Sequence, residues 1–134
     1  MKAFLFPGQG SQKQGMASEF EANFKIVKDI FKKADDILKI NLSKFILNGP
    51  EEELKKTEIT QPAILTTSFA IFSVMQNEFD INFNNVKYFA GHSLGEYSAL
   101  VSSGSLKFED GLKLVHSRGK YMQEAVPLGK GAML

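Results

Sequence analysis

One stretch near the middle of the chain constrains the fold most, because it joins an apolar run, a glycine turn and a helical pattern. The apolar run at 86–90 leads into GHSLG at 91–95, and a helical pattern continues to about residue 103. Glycines on both sides of Ser93 permit a sharp turn that lifts the serine side chain above the end of a strand. The pattern predicts a strand–turn–helix elbow that presents a nucleophile, and a purely structural turn is the alternative.

The rest of the chain supplies one more convincing strand and several helices. The apolar run KAFLF at 2–6 stops at a Pro-Gly pair, as a buried strand before a turn does. Helical periodicity covers 17–38, where SEFE at 18–21 has capping-box spacing. The stretch 60–79 is apolar nearly all round, as in a helix that packs on several sides, and 107–126 adds another helix. This alternation favours an α/β fold with parallel strands and covering helices. Two strands are too few for a stable sheet, so we expect part of a larger domain.

Composition excludes several classes of protein. Of the 134 residues, 43% are hydrophobic and 23% are charged, as in ordinary globular proteins, and the formal charge of +1 gives no reason to expect nucleic acid as a partner. Cysteine is absent, which excludes disulfides and thiolate chemistry. The N-terminus has too few apolar residues for a signal peptide, and no apolar run approaches the roughly 20 residues that cross a bilayer. We therefore expect a cytoplasmic protein without a membrane partner.

A serine nucleophile needs a general base, and neither histidine of the chain suits that role. His92 is next to Ser93, and adjacent side chains on such a turn point apart, so we interpret His92 as a residue that supports the elbow. His116 falls on a mostly polar row of the 107–126 helix and is expected at the surface. The amide of Leu94, at the helix start, is placed to stabilise an oxyanion. The sequence thus predicts that the base lies outside this chain.

Arg118 is an anomaly in the 107–126 helix, because steps of three and four place it in an apolar row. That row contains Gly111, Leu114, Val115, Met122, Ala125 and Val126. A guanidinium on an apolar face is costly unless it is paired or faces a polar pocket. Two interpretations stay open: a structural ion pair, for instance with Glu96, or a bidentate site for a substrate carboxylate.

The loop PGQGSQ at 7–12 follows the first strand and is rich in glycine. In enzymes with a serine elbow, an amide from such a neighbouring loop completes the oxyanion hole. The same loop could form a phosphate nest, although no Gly-Lys-Ser/Thr follows it as in a Walker loop.

Four motifs in order, FPGQGSQ, TQPAILT, GHSLGEYSAL and RGKYMQEAVP, resemble the N-terminal part of the malonyl-CoA:acyl-carrier-protein transacylases of the acyltransferase superfamily. The resemblance covers nearly the whole chain. It implies that 1–126 form part of a large, α/β-hydrolase-like subdomain, and that 127–134 begin a small ferredoxin-like subdomain that is cut short.

The resemblance also implies roles for individual residues. Ser93 would accept malonyl from coenzyme A as an ester, and the amides of Gln9 and Leu94 would stabilise the oxyanion. Arg118 would hold the malonyl carboxylate, and Met122 would line the acyl pocket. The histidine base of the family would lie beyond residue 134. Malonyl-CoA and acyl carrier protein would be the partners, and neither a metal nor another cofactor is implied.

Three alternatives remain beside this interpretation. A polyketide-type acyltransferase domain would share the same motifs. A serine ester or lipid hydrolase would share the elbow but admit water to the acyl-serine, and an arginine aimed at the pocket argues against lipids. A non-catalytic fragment, which binds but does not turn over, would share everything except activity.

Overall fold

Two parallel strands form the sheet of the part of the chain that is described. The structure is a computed structural model and describes residues 2–79, 81 and 83–126. Strand β1 (Lys2–Phe6) pairs in parallel with β2 (Val86–Gly91), and their register places Phe6 opposite Gly91. The predicted α/β fold with parallel strands is confirmed.

Helices make up most of the remaining structure. In chain order they are α1 (Ser18–Asn23), α2 (Lys25–Leu38), α3 (Leu42–Asn48), α4 (Glu51–Leu54), α5 (Thr57–Asn77), α6 (Leu94–Ser102) and α7 (Phe108–Ala125), with a 3₁₀ turn at Phe83–Asn85 before β2. None of the helices within the described ranges is both long and apolar enough to cross a membrane.

The central helix of the fold is α5, which packs against α2, α6 and α7. Every residue from Ile59 to Thr67 is buried, so the helix is enclosed on all sides over these turns. Its apolar sequence is therefore a consequence of its position, because a helix that packs on several neighbours has no polar face to present to water. The N-terminal end of α5, at Thr57 and Glu58, packs closely against Gly119 of α7, and this contact positions the side chains of the site.

A cluster of phenylalanines covers one face of the sheet. Its members come from both strands, from α5 and from the 3₁₀ turn: Phe4, Phe6, Phe72, Phe83 and Phe89. Edge-to-face pairs occur within the cluster, for example between Phe4 and Phe72, whose ring centroids are 5.3 Å apart. This packing fixes the ends of β1 and β2, and so supports the loops that follow each strand.

One prediction about a helix end was wrong, and one helix was not predicted. The SEFE motif marks the right place, but Ser18 is the first residue of α1 and not its cap. The cap is Ala17, which has a left-handed backbone (φ 62°) and offers no side-chain hydrogen bond. Helix α3 had not been predicted at all, because its seven residues are too few to show a clear period.

The predicted apolar face of α7 was only partly right. The buried residues of this helix are Phe108, Gly111, Leu112, Val115 and Gly119. Three members of the predicted row, Leu114, Met122 and Val126, are 47%, 41% and 50% exposed. The buried face is rotated from the predicted one because two neighbouring rows of α7 both carry apolar residues, and packing against α5, α2 and α6 decides which row is covered. The predicted small subdomain at 127–134 lies outside the described residues.

Candidate active site

The elbow after β2 has a strained backbone at its serine. Strand β2 ends at Gly91 and α6 begins at Leu94, so the chain reverses within two residues. Ser93 lies between them with φ 54° and ψ −109°. A positive φ is unfavourable for a residue with a side chain, and such strain is retained mainly where function needs a particular side-chain direction.

Close backbone contacts hold the elbow in place. A Cβ atom on Gly91 would lie 2.1 Å from the carbonyl carbon of Gly95, so only glycine fits at the inside of the turn. The loop after β1 packs against the same turn, since a Cβ on Gly8 would lie 2.9 Å from the carbonyl oxygen of His92. The GHSLG and PGQGSQ motifs are therefore brought together, as their separate positions after two parallel strands require.

The hydroxyl of Ser93 points to an arginine and does not cap its helix. Ser93 occupies the N-cap position of α6, where a serine commonly accepts a hydrogen bond from the first helical turn, but its side chain makes no such bond. Instead, Nη2 of Arg118 donates to Ser93 Oγ at 2.9 Å. The half-buried hydroxyl thus faces a positive charge.

Arg118 has neutral partners. Its Nη1 donates to Oε1 of Gln61 at 2.7 Å, and its Cζ lies 5.6 Å from the centroid of the Tyr97 ring. No ion pair of Arg118 occurs among the residues that the structure describes, and the predicted pair with Glu96 is not formed. Of the two interpretations of Arg118, the structural ion pair with Glu96 is therefore wrong.

Gln61 is a site residue that the sequence pattern did not identify. Its side chain is fully buried; besides accepting from Arg118, it donates from Nε2 to the sulfur of Met122 at 3.1 Å. The available signal was a glutamine within the apolar stretch TQPAILT, because a buried amide needs partners. Its partner Arg118 lies 57 residues away, so no local pattern could name it.

Met122 lies at the surface beside the arginine. It lines a shallow groove on the outer side of α7 together with Leu114, Ser117, Arg118, Tyr121 and Ala125. The exposed lining of this groove is almost wholly apolar, and the guanidinium of Arg118 is hydrogen-bonded to Gln61 and Ser93. The predicted role of Met122 in an acyl pocket stays a prediction.

The two amides proposed for an oxyanion hole come from the two loops that meet at the elbow. Leu94 is the first residue of α6, so its N–H has no acceptor within the helix. Gln9 is exposed, and its side chain is held by a hydrogen bond from Nε2 to Thr57 Oγ1 at 3.3 Å. That these amides bind an oxyanion stays a prediction.

Neither histidine contacts the serine hydroxyl in the described part of the chain, where Ser93 Oγ is bonded to Arg118. His92 is exposed on the turn. His116 is half-buried on α7, and burial, followed by the charge of Lys120, lowers its pKa below the usual 6.5. A base for Ser93 is not found among these two residues.

Fold and site together define a class. The chain is an α/β protein in which an elbow between a parallel strand and a helix presents a serine, with an arginine beside the serine hydroxyl and no carboxylate bound to that arginine within the described ranges. The sequence model of the acyl transferase domain family matches residues 3–134. The chain belongs to the acyl transferase domain family.

Curated relatives of the chain share one name. The malonyl CoA-acyl carrier protein transacylase of Salmonella typhimurium is 50% identical over 131 residues, which is 98% of this chain and 41% of the relative. The protein of the same name from Bacillus subtilis strain 168 is 48% identical, over 98% of this chain and 40% of the relative. The chain thus spans about two-fifths of the length of these curated relatives.

Solved structures agree with the fold. The malonyl CoA-acyl carrier protein transacylase of Coxiella burnetii superposes with a TM-score of 0.88 at 48% identity, over 95% of this chain and 39% of that chain. A malonyl-transacylase solved in complex with a type II polyketide acyl-carrier protein gives 0.86 at 48% identity, over 93% of this chain and 40% of that chain. The resemblance seen in the four motifs is confirmed.

Proposed function

We propose that this chain carries the acyl-accepting half of an enzyme that transfers malonyl from coenzyme A to acyl carrier protein in fatty acid synthesis. The observation that carries the proposal is the hydrogen bond from Arg118 to Ser93 Oγ, made by a guanidinium whose identified partners are neutral. In this proposal Ser93 is the nucleophile and Arg118 the cation that binds the carboxylate, and one hydrogen bond joins the two side chains. The names of the relatives support malonyl as the acyl group.

Ser93 is the nucleophile in this proposal. Its Oγ attacks the thioester carbonyl of malonyl-CoA, an ester bond forms, and the carbon–sulfur bond breaks so that coenzyme A leaves as the thiol. The serine proton passes through a base that this chain does not supply. The thiol of the carrier protein's phosphopantetheine then attacks the malonyl-serine and restores the free hydroxyl, in a ping-pong sequence.

The oxyanion of each step is stabilised by backbone amides. Leu94 N–H stands at the positive end of α6, which favours negative charge, and Gln9 N–H lies on the loop that packs against the elbow. Both donors are backbone N–H groups, so neither depends on the rotamer of a side chain. They can therefore stabilise charge as it develops without reorganising first.

Arg118 selects the acyl group. The malonyl carboxylate replaces Ser93 Oγ as an acceptor of the guanidinium, and Met122 contacts the methylene from the groove on α7. An acetyl group has no carboxylate, so the guanidinium gains nothing from it. A charge-assisted hydrogen bond is worth about 1.5–3 kcal/mol, which corresponds to a discrimination of roughly 10- to 150-fold.

The decisive experiment measures acyl loading on Ser93 by intact-protein mass, with malonyl-CoA and acetyl-CoA as donors. The gene product that carries this sequence is compared with Ser93→Ala, Arg118→Ala and Lys120→Ala. Loading is expected to vanish in the first variant and to lose its malonyl preference in the second. Lys120→Ala is the control, because it removes an exposed positive charge from the same helix. An unchanged malonyl preference in Arg118→Ala would refute the proposed function.

The acceptor is tested in the same assay. With carrier protein present, the malonyl group is expected to move from Ser93 to the phosphopantetheine thiol faster than it is released as free malonate. Release to water at the same rate with and without carrier protein would identify an ester hydrolase instead. A location in the cytoplasm stays a prediction.

The 134-residue chain by itself is expected to show negligible turnover, because neither histidine reaches the serine hydroxyl. Incubation with malonyl-CoA and weighing of the protein tests this. A fast, stoichiometric adduct on Ser93 would contradict the prediction that the base is missing, and it would leave the identity of the nucleophile intact.

A further inference from the structure

We propose that Tyr97 is a positioning residue: its ring holds the guanidinium of Arg118 so that free N–H groups remain for a substrate carboxylate. The proposal rests on the proposed function, because it assigns a task to a neighbour of Arg118. The observation behind it is the distance of 5.6 Å between Arg118 Cζ and the centroid of the Tyr97 ring. Cations within about 6 Å of an aromatic centroid are attracted by the ring quadrupole.

The fold places Tyr97 where this contact is enforced. Tyr97 lies one turn after Ser93, and residues four apart share a face of a helix, so serine and ring face the arginine together. The ring is half-buried and packs against the main hydrophobic core. It is therefore held from behind, while Arg118 approaches from α7.

A ring does what a carboxylate could not do at this position. A guanidinium has five N–H donors, and Arg118 uses one toward Gln61 and one toward Ser93. An aspartate or glutamate here would consume further donors and neutralise the charge, and would then compete with an acidic substrate. The face of Tyr97 stabilises the cation while it accepts no in-plane N–H. The charge stays available for the ligand.

Gln61 alone does not fix the arginine. Its acceptor holds one Nη atom, and the second hydrogen bond of the guanidinium, to Ser93 Oγ, is the one that a malonyl carboxylate would replace. The ring of Tyr97 supplies the second restraint. Without the ring, the guanidinium is expected to turn away from the position where it meets Ser93 or a malonyl carboxylate. Malonyl loading is then expected to fall roughly 2- to 30-fold, which corresponds to the usual energies of cation–π interactions.

The test compares Tyr97→Leu with Tyr97→Phe in the gene product that carries this sequence. The readouts are the rates of malonyl and acetyl loading onto Ser93. Leucine keeps an apolar side chain against the core but has no ring, whereas phenylalanine keeps the ring. We expect Tyr97→Leu to lower the ratio of malonyl to acetyl loading while its acetyl loading rate stays within about twofold of the wild type. Tyr97→Phe is expected to keep the wild-type ratio.

A merely structural role predicts a different result. General destabilisation would lower both loading rates in Tyr97→Leu and would leave their ratio unchanged, which would overturn the proposal. In the Arg118→Ala background, Tyr97→Leu is expected to have no further effect on the ratio; an equal effect in both backgrounds would also overturn it. If Arg118→Ala itself keeps the wild-type ratio, the proposed function fails first, and this proposal falls with it.

Discussion

Replacement of Gly95 by alanine tests how closely α6 must approach the end of β1. A Cβ at this position would lie 2.3 Å from the carbonyl oxygen of Phe6, whereas carbon–oxygen contacts in proteins begin at roughly 3.3 Å. The helix would have to move by roughly 1 Å. Such overpacking typically costs about 1–3 kcal/mol, and a clash with backbone falls in the upper part of this range, about 2–3 kcal/mol; the better helix propensity of alanine returns at most about 1 kcal/mol. We therefore expect a net loss of about 1–2 kcal/mol in the free energy of unfolding.

Urea unfolding followed by circular dichroism measures this loss. With an ordinary urea dependence, the midpoint is expected to fall by roughly 0.5–1 M without a change in slope. Lys113→Ala is the matched control, because it places alanine at an exposed position of α7 and is expected to change stability by less than about 0.5 kcal/mol. If Gly95→Ala unfolds at the same urea concentration as the wild type, the close approach of α6 to β1 does not require glycine at position 95, and the reasoning is refuted.

Two further predictions concern stability away from the elbow. Asp35 accepts hydrogen bonds from the backbone N–H and the hydroxyl of Ser43 at 2.8 and 2.5 Å. Asp35→Ala is therefore expected to lower the free energy of unfolding in urea by about 1–2 kcal/mol, whereas Asp36→Ala, at an exposed position, is expected to lower it clearly less. Equal losses in the two variants would contradict this. Burial and Lys120 lower the pKa of His116 in the folded chain, so the unfolded chain binds the proton first and stability falls as the pH drops below about 6.5. His116→Gln is expected to reduce the decline in melting temperature between neutral and mildly acidic pH, and an identical decline would refute this.

The elements that could be predicted from sequence are those whose signals are local. The run at 2–6 and the GHSLG turn each contain their own stop signals, and the structure places β1, β2 and α6 accordingly. The positive φ of Ser93 occurs within this turn, although the GHSLG pattern did not predict it. Helix α3 was missed because a short helix is stabilised by its packing against α2 and α5 and not by its own pattern.

The partners of Arg118 could not be predicted, because they depend on how helices distant in sequence meet. The apolar row on α7 indicated an unusual arginine, but only part of that row is buried, and the row alone gave no partner for Arg118. Gln61 and Tyr97 come from two other helices, and only the packing of α5 and α6 on α7 brings them to the guanidinium. The local pattern therefore indicated Arg118 as unusual but could not indicate Gln61 and Tyr97 as its neighbours.

The two hydrogen bonds of Gln61 fix the orientation of its side-chain amide. The carbonyl end must face the guanidinium of Arg118, so the NH₂ end must face Met122. Position 122 is thereby tied to position 61: leucine there would fill the same volume but leave a buried donor without an acceptor. Attempts to widen or narrow the groove for a different acyl group should therefore vary positions 61 and 122 as a pair, and begin with replacements at 122 that keep an acceptor.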